Sequence, residues 1–343
     1  MKVYSAATAA DSHMKKPVSR SITAASFILA CNLVAGVVHA DYSQTPEGKA
    51  FIADMVVKHK LNSADVTAAL RKAKRSDRVL ELISRPAEKR LEWKGYRKIF
   101  LTDERIDAGV TFWSENEEIL ARAEKEYGVP ASVIVAIIGV ETFYGRISGG
   151  FRAIDALSTL AFEYPPRSSF FRSELAELFL LAEENKLDID KLEGSYAGAF
   201  GMPQFISSSY RAYAIDFDGD QQNDLWQSVP DVVGSVANYF KRHGWKEGQA
   251  VVEKTEITEA ALSLVVDNPK PVTSQQKLAG VGIYPKRKGT GRYSLLQLEA
   301  GAGSEYWIAH HNFYVITRYN HSNLYAMAVH QLSQQIKTRK ENR

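Results

Sequence analysis

The sequence predicts an α+β protein that is predominantly α, with a helical body and a small mixed insertion near the C-terminus. Three observations carry this. Apolar residues recur at helical spacing from about residue 46 to 242. Val133 to Val140 is apolar on every face, as in a helix buried at the centre of its domain. After about residue 246 the texture changes to short strand-like runs among turns.

The elements follow in order. Phe51, Ile52, Met55, Val56 and Val57 form one apolar stripe, and Ser63 reads as the N-cap of Ala64 to Lys72. Ile106, Val110, Phe112, Trp113, Ile119 and Leu120 continue the helical spacing. Gly128-Val129-Pro130 punctuates, with Pro130 at a helix start where its missing N–H costs little. Ala153 to Phe162, Ser173 to Asn185, Ser208 to Ala214 and Val232 to Arg242 read as further helices, and the small residues of Ser195 to Gln204 interrupt regular structure. Val251-Val252, Ile257, Val265-Val266, Tyr293 to Leu298, Tyr306 to Ala309 and Phe313 to Thr317 read as strands, and Ser322 caps a last helix.

The N-terminus has an export pattern. Lys15, Lys16 and Arg20 precede an apolar stretch from Ile22 to Val38, and Val38-His39-Ala40 reads as a cleavage site before Asp41. Ile28-Leu29-Ala30-Cys31 loosely resembles a lipoprotein box, but Leu29 is bulky where such boxes carry a small residue. The expectation is a periplasmic protein released from its signal peptide. No other run approaches the roughly 18 apolar residues of a membrane span.

The leader holds four of the 43 basic and one of the 40 acidic residues, so the mature chain is formally neutral. That argues against nucleic-acid binding driven by bulk charge. Cys31, the single cysteine, also lies in the leader, which excludes a thiol nucleophile and a disulfide. No Walker loop, dinucleotide fingerprint or G-x-S-x-G elbow is present.

Glu141 ends the apolar helix, and Thr142-Phe143-Tyr144-Gly145 follows. Apolar surroundings and the negative helix end both favour its protonated form, which suits a general acid. The alternative is a buried Glu tied to a backbone amide or to Arg146. Gly or Ala at 197, 198, 199 and 201 lets backbone approach a ligand closely, and the Gln204 amide suits a hydroxyl or N-acetyl group. A tight packed loop explains the same residues. Asp216, Asp218, Asp220 and Asp224 place oxygens at positions 1, 3, 5 and 9 of a calcium-type loop. It departs from an EF-hand at Gln221 and Gln227, and Asp231 is an alternative closing ligand; an acidic surface turn is the plainer reading. Tyr314, Tyr319, Asn320 and Tyr325 cluster around Arg318 and His321, offering stacking faces and amides for a sugar groove or making an ordinary strand-to-helix junction.

These segments together resemble the lytic murein transglycosylase B family. The blocks are G-V-E-T-F-Y-G at Gly139 to Gly145, D-A-L-S-T-L-A-F-E-Y-P at Asp155 to Pro165, and S-Y-A-G-A-F-G-M-P-Q-F at Ser195 to Phe205. D-F-D-G-D with D-L-W follows at Asp216 to Trp226, then G-S-V-A-N-Y-F-K-R-H-G-W at Gly234 to Trp245 and N-F-Y-V-I-T-R-Y-N-H-S at Asn312 to Ser322. The resemblance implies a lysozyme-like catalytic core at 111–245, after a signal peptide at 1–40 and an N-terminal helical region at 41–110. A small α+β subdomain at 246–309 and a segment at 310–343 returning to the core complete it. It implies cleavage of peptidoglycan glycan strands between N-acetylmuramic acid and N-acetylglucosamine, leaving 1,6-anhydromuramoyl ends. Glu141 is implied as the catalytic acid, and Tyr96, Ser195, Gln204, Tyr239, Tyr319, Asn320 and Tyr325 as glycan contacts. A structural Ca²⁺ on Asp216, Asp218, Asp220 and the Gln222 carbonyl is implied, and no cofactor for catalysis. Family members often carry a basic pair where this chain has Pro166-Arg167. Cell-wall synthesis or division proteins are conceivable partners that no residue here specifies. A hydrolase on the same scaffold and a non-catalytic wall-binding protein are the rival readings.

Overall fold

The computed structural model describes residues 41–85, 91–287 and 289–343. The leader pattern and Cys31 lie outside these residues. Helices α1 (Pro46–His59), α2 (Ser63–Lys72), α3 (Asp77–Ile83) and α4 (Trp93–Phe100) open the chain. α5 (Asp103–Glu115), α6 (Glu117–Tyr127) and α7 (Ala131–Thr142) lead into the centre. All twelve residues of α7 are buried, as its uninterrupted apolar run requires. α5, α6 and the C-terminal helix α14 (Asn323–Glu341) pack around it.

Next come β1 (Phe151–Arg152), α8 (Ala153–Glu163), α9 (Ser168–Glu184), β2 (Glu193–Gly194), β3 (Ala199–Phe200) and β4 (Phe205–Ile206). The four short strands form one antiparallel sheet in chain order, pairing Phe151 with Gly194, Gly194 with Phe200, and Phe200 with Phe205. The 195–205 segment is thus a folded ribbon that doubles back beside the end of α7. α10 (Ser207–Tyr213) and α11 (Val229–Arg242) follow.

The insertion holds β5 (Val252–Thr255), β6 (Thr273–Ser274), α12 (Gln275–Ala279), β7 (Arg292–Glu299) and β8 (Ser304–Ala309). Its sheet runs β5-β8-β7-β6, all antiparallel, around a small apolar cluster of Ala261, Leu278, Ile283, Tyr293, Leu295 and Ile308. The much larger core draws on residues from Tyr42 to Ile336. α13 (His311–Tyr319) returns the chain from β8 to that core.

Several sequence expectations are corrected. Phe313 to Thr317 is not a strand but the middle of α13. Asn312, Phe313, Val315, Ile316, Thr317 and Tyr319 are all buried there, and a run buried on both sides carries no period that separates strand from helix. Ile257 lies between elements, and Val265 makes only an isolated bridge to Leu295. α2 is capped by Asn62, whose side chain accepts from Ala64 N, and Ser63 is already helical. α9 begins five residues before Ser173, directly after the short turn at Pro165–Arg167. Val57 is 66% exposed, because Gly48, Phe51 and Met55 define the buried face of α1 and Val57 falls opposite it.

Candidate active site

Glu141 sits in the last turn of α7 and is 8% exposed. The helix then ends abruptly: Phe143, Tyr144 and Gly145 take φ values of 52°, 60° and 83°. Two successive non-glycine residues in the left-handed region cost about 1 kcal/mol or more each. The bonds Phe143 N to Gly139 O and Tyr144 N to Ile138 O close the helix end. The Tyr144 hydroxyl donates to Arg105 O at 3.0 Å. A Cβ on Gly139 would lie 2.5 Å from that hydroxyl and 2.6 Å from Cζ, and one on Gly109 2.4 Å from the hydroxyl. The Tyr144 ring is therefore seated in a slot cut by one glycine from α7 and one from α5. Arg146 reaches over the Phe143 ring, 5.1 Å from its centre.

The Tyr325 hydroxyl donates to Glu141 Oε1 at 2.7 Å, from the first turn of α14. Ser322 caps that helix by accepting from Tyr325 N, so the cap sets the donor's position. The Tyr319 and Tyr325 rings lie nearly parallel, 6.4 Å apart, and Tyr239 stands 4.8 Å from Tyr319. Tyr319 donates to Pro203 O and Tyr239 to Arg318 O, both at 2.6 Å. Burial, and then the nearby Glu141 charge, push the Tyr319 hydroxyl well above the usual phenol range. Burial likewise raises Tyr239. Both hydroxyls keep their protons at any physiological pH and stay donors.

The ribbon joins the end of α7 through the bond of Thr142 to Met202 O, and α13 through that of Tyr319 to Pro203 O. Ser195 Oγ accepts from Ala197 N at 3.3 Å and Ala199 N at 3.0 Å. Its own proton is spent on neither. Gln204, at φ 50°, donates from Nε2 to Gly201 O, so half of its amide is used internally. Gly201 cannot carry a side chain: φ is 64° and a Cβ would meet Leu225 O at 2.3 Å. Asn320, 3% exposed, ends α13 and lines a groove of about 720 Å³ with Trp93, Asn268, Gln297, Tyr314 and Arg318. The groove runs between the insertion, the start of α4 and the α13–α14 junction, and Glu141 is not among its walls. Tyr96 is fully buried in α4, its ring 5.1 Å from that of Phe100. Its helix packs against α14.

The acidic loop gathers oxygens of Asp216, Asp218 and Asp231 within 4.8 Å of one another. Asp220 is not in that cluster; its Oδ1 accepts from Gln222 N. Asp231 is fully buried and accepts from Phe217 N and Asp224 N, which anchors both ends of the loop. Three converging carboxylates are a hard-oxygen donor set, which fits a calcium ion better than a softer metal.

Sequence reasoning gave no role to Thr142, which ties α7 to the ribbon, nor to His243, whose ring stacks on Tyr239 at 4.0 Å. The second had a signal: the residues are four apart on one helix.

Residues 43–334 match the transglycosylase SLT domain family. The membrane-bound lytic murein transglycosylase B of Escherichia coli K12 is 42% identical over 307 residues, spanning 86% of this chain and 84% of the relative. Among solved structures, the soluble lytic transglycosylase SltB1 of Pseudomonas aeruginosa is 48% identical with a TM-score of 0.80, covering 85% of this chain and 98% of that one. The Escherichia coli lytic transglycosylase Slt35 in complex with calcium is 43% identical with a TM-score of 0.80, covering 88% and 96%.

Proposed function

The chain belongs to the transglycosylase SLT domain family and is a lytic murein transglycosylase that cleaves peptidoglycan, and from that premise we propose that Glu141 is its catalytic acid and base. The observation that carries this reading is the buried bond from Tyr325 to Glu141 Oε1. The phenol fixes the orientation of a carboxyl group that lies almost wholly buried at the end of α7. A carboxyl group so held suits the donor role.

Glu141 donates its proton to the glycosidic oxygen as the bond from C1 of N-acetylmuramic acid breaks. The substrate's N-acetyl group stabilises positive charge at C1, which makes a second protein carboxylate unnecessary. Ionised Glu141, steadied by the Tyr325 hydroxyl, then takes the proton of the muramoyl C6 hydroxyl as that oxygen bonds to C1. The product is a 1,6-anhydro ring, and no water is consumed. Ser195, with its proton available, and Asn320 hold the N-acetyl group; Tyr239 and Tyr319 wall the site from water. Gln204 takes a substrate hydroxyl through its amide oxygen, and Tyr96 acts indirectly, through the packing of α4 against α14.

The carboxylates that a hydrolase would need are engaged elsewhere. Asp155 accepts from Arg152 and from Lys74 N, Glu163 faces Arg75, and Asp216 accepts from Gly219 N and Gln221 N. Mass spectrometry of digested murein separates the two, since anhydro ends are one water lighter than reducing ends. Glu141→Gln is expected to bind murein and leave it uncleaved; release of anhydro products at the wild-type rate by that variant would sink the assignment.

The acidic loop is proposed to hold a structural Ca²⁺ on the converging Asp216, Asp218 and Asp231, with Asp220 and the Gln222 carbonyl as the further ligands that the family resemblance implies. When bound, the ion neutralises clustered carboxylates. The calcium complex of Slt35 supports this reading. The chain acts on periplasmic murein, in keeping with a membrane-bound relative. Among the described residues no helix is long and apolar enough to cross a membrane. The proposed division is an N-terminal helical region at 41–110, a core at 111–245, an α+β subdomain at 246–309 and a returning segment at 310–343.

A further inference from the structure

We propose that Thr142 is a positioning residue for the reaction, the pin that fixes the catalytic carboxylate against the Gln204 ribbon. The proposal rests on the reading of Glu141 as the acid. Thr142 follows Glu141 directly and is 1% exposed. Its hydroxyl faces two ways. It accepts from Gly145 N at 3.0 Å, which closes the left-handed turn after Glu141. It donates to Met202 O at 2.9 Å, sixty residues away on the ribbon, with Ile138 O a weaker acceptor at 3.3 Å.

Met202 is itself fixed. Its N–H donates to Leu225 O at 2.9 Å, and the next carbonyl, Pro203 O, accepts from Tyr319. The Met202 carbonyl is therefore a rigid acceptor two residues before Gln204. A hydroxyl bonded to it registers the end of α7 on the ribbon. One hydroxyl serves both bonds, so a misplaced Thr142 loosens the turn and the register together. Substrate contact is not required of it. Such a residue affects the turnover step more than binding, because the acid must sit within hydrogen-bond reach of a leaving oxygen that the rest of the site holds.

The experiment compares Thr142→Val, which keeps the shape and loses the hydroxyl, with Thr142→Ser, which keeps the hydroxyl. Thr142→Ala and Glu141→Gln run alongside. Expected are a kcat at least ten-fold lower for Thr142→Val with KM within three-fold of wild type, and a kcat for Thr142→Ser within three-fold. Thr142→Ala should match Thr142→Val, and gives the comparison if the valine variant does not fold. Wild-type kcat in Thr142→Val, an equal loss in Thr142→Ser, or unfolding of both Val and Ala variants overturns the proposal; the last outcome makes the hydroxyl an element of stability alone. An active Glu141→Gln instead marks failure of the acid assignment, whatever the Thr142 variants do.

Discussion

Replacing Gly139 by alanine sets two rules against each other. Helix propensity alone favours alanine in a helix interior by about 1 kcal/mol. The Tyr144 ring opposes it. The new Cβ would stand 2.5 Å from Oη, 2.6 Å from Cζ and 2.8 Å from Cε1, against a carbon–carbon optimum of about 3.5 Å or more. The ring must retreat by about 1 Å, and on its other side Gly109 already sits where a Cβ would be 2.4 Å from the same hydroxyl. Overpacking of this kind costs about 1–3 kcal/mol. Loss of the bond to Arg105 O adds about 1 kcal/mol. The balance is a destabilisation of about 2 kcal/mol, read as a lower urea midpoint at unchanged slope. In a Tyr144→Ala background the clash is gone, and Gly139→Ala should become neutral or stabilising by up to about 1 kcal/mol. A single Gly139→Ala variant as stable as wild type would refute the slot and leave propensity in charge.

Other outcomes follow from the same geometry. Tyr325→Phe removes a donor to a buried carboxylate, about 1.5–3 kcal/mol, so kcat should fall about 10- to 100-fold with the fold intact by circular dichroism. Burial, then the Arg287 charge, lower the His330 imidazole from 6.5 to about 4. Its folded value is depressed, so its contribution is complete above pH 6.5 and is lost as pH falls toward 4. That window is worth about 3 kcal/mol, and urea midpoints of His330→Leu should lack the slope across it. Millimolar calcium should raise the melting temperature of the wild type and not of Asp218→Asn; equal shifts in both would remove the loop from the metal site.

The parts of the fold that read most clearly were those with one strong local signal. The α7 run, with Gly128 and Pro130 before it and Gly145 after, is too long for an ordinary strand, so its length and flanks rather than its period marked it as a buried helix with an acid at its end. Ser322 as the cap of α14 was equally local. α13 was misread because Phe313 to Thr317 is rich in aromatic and β-branched residues and mostly buried, and only its docking shows the period. Asn312 gives part of that docking, bonding Lys246 N and O and Gln249 O. The candidate site residues were named through their resemblance to a family, and their geometry was not legible. Nothing in either segment says that Tyr325 meets Glu141, because that is a contact between distant parts of the chain. The Gln204 amide's bond to Gly201, and the place of Asp231 inside the acidic cluster with Asp220 outside it, hang on the backbone path of their loops, which composition does not show.

The hydrogen bond from Tyr325 to Glu141 joins residues 184 positions apart, and its donor arrives only with the last helix. A nascent chain thus carries the carboxylate long before the phenol that donates to it. Until α14 docks, that pair is unmade. Proteolytic loss of the C-terminal segment takes that donor with it, together with the helix that packs on α7.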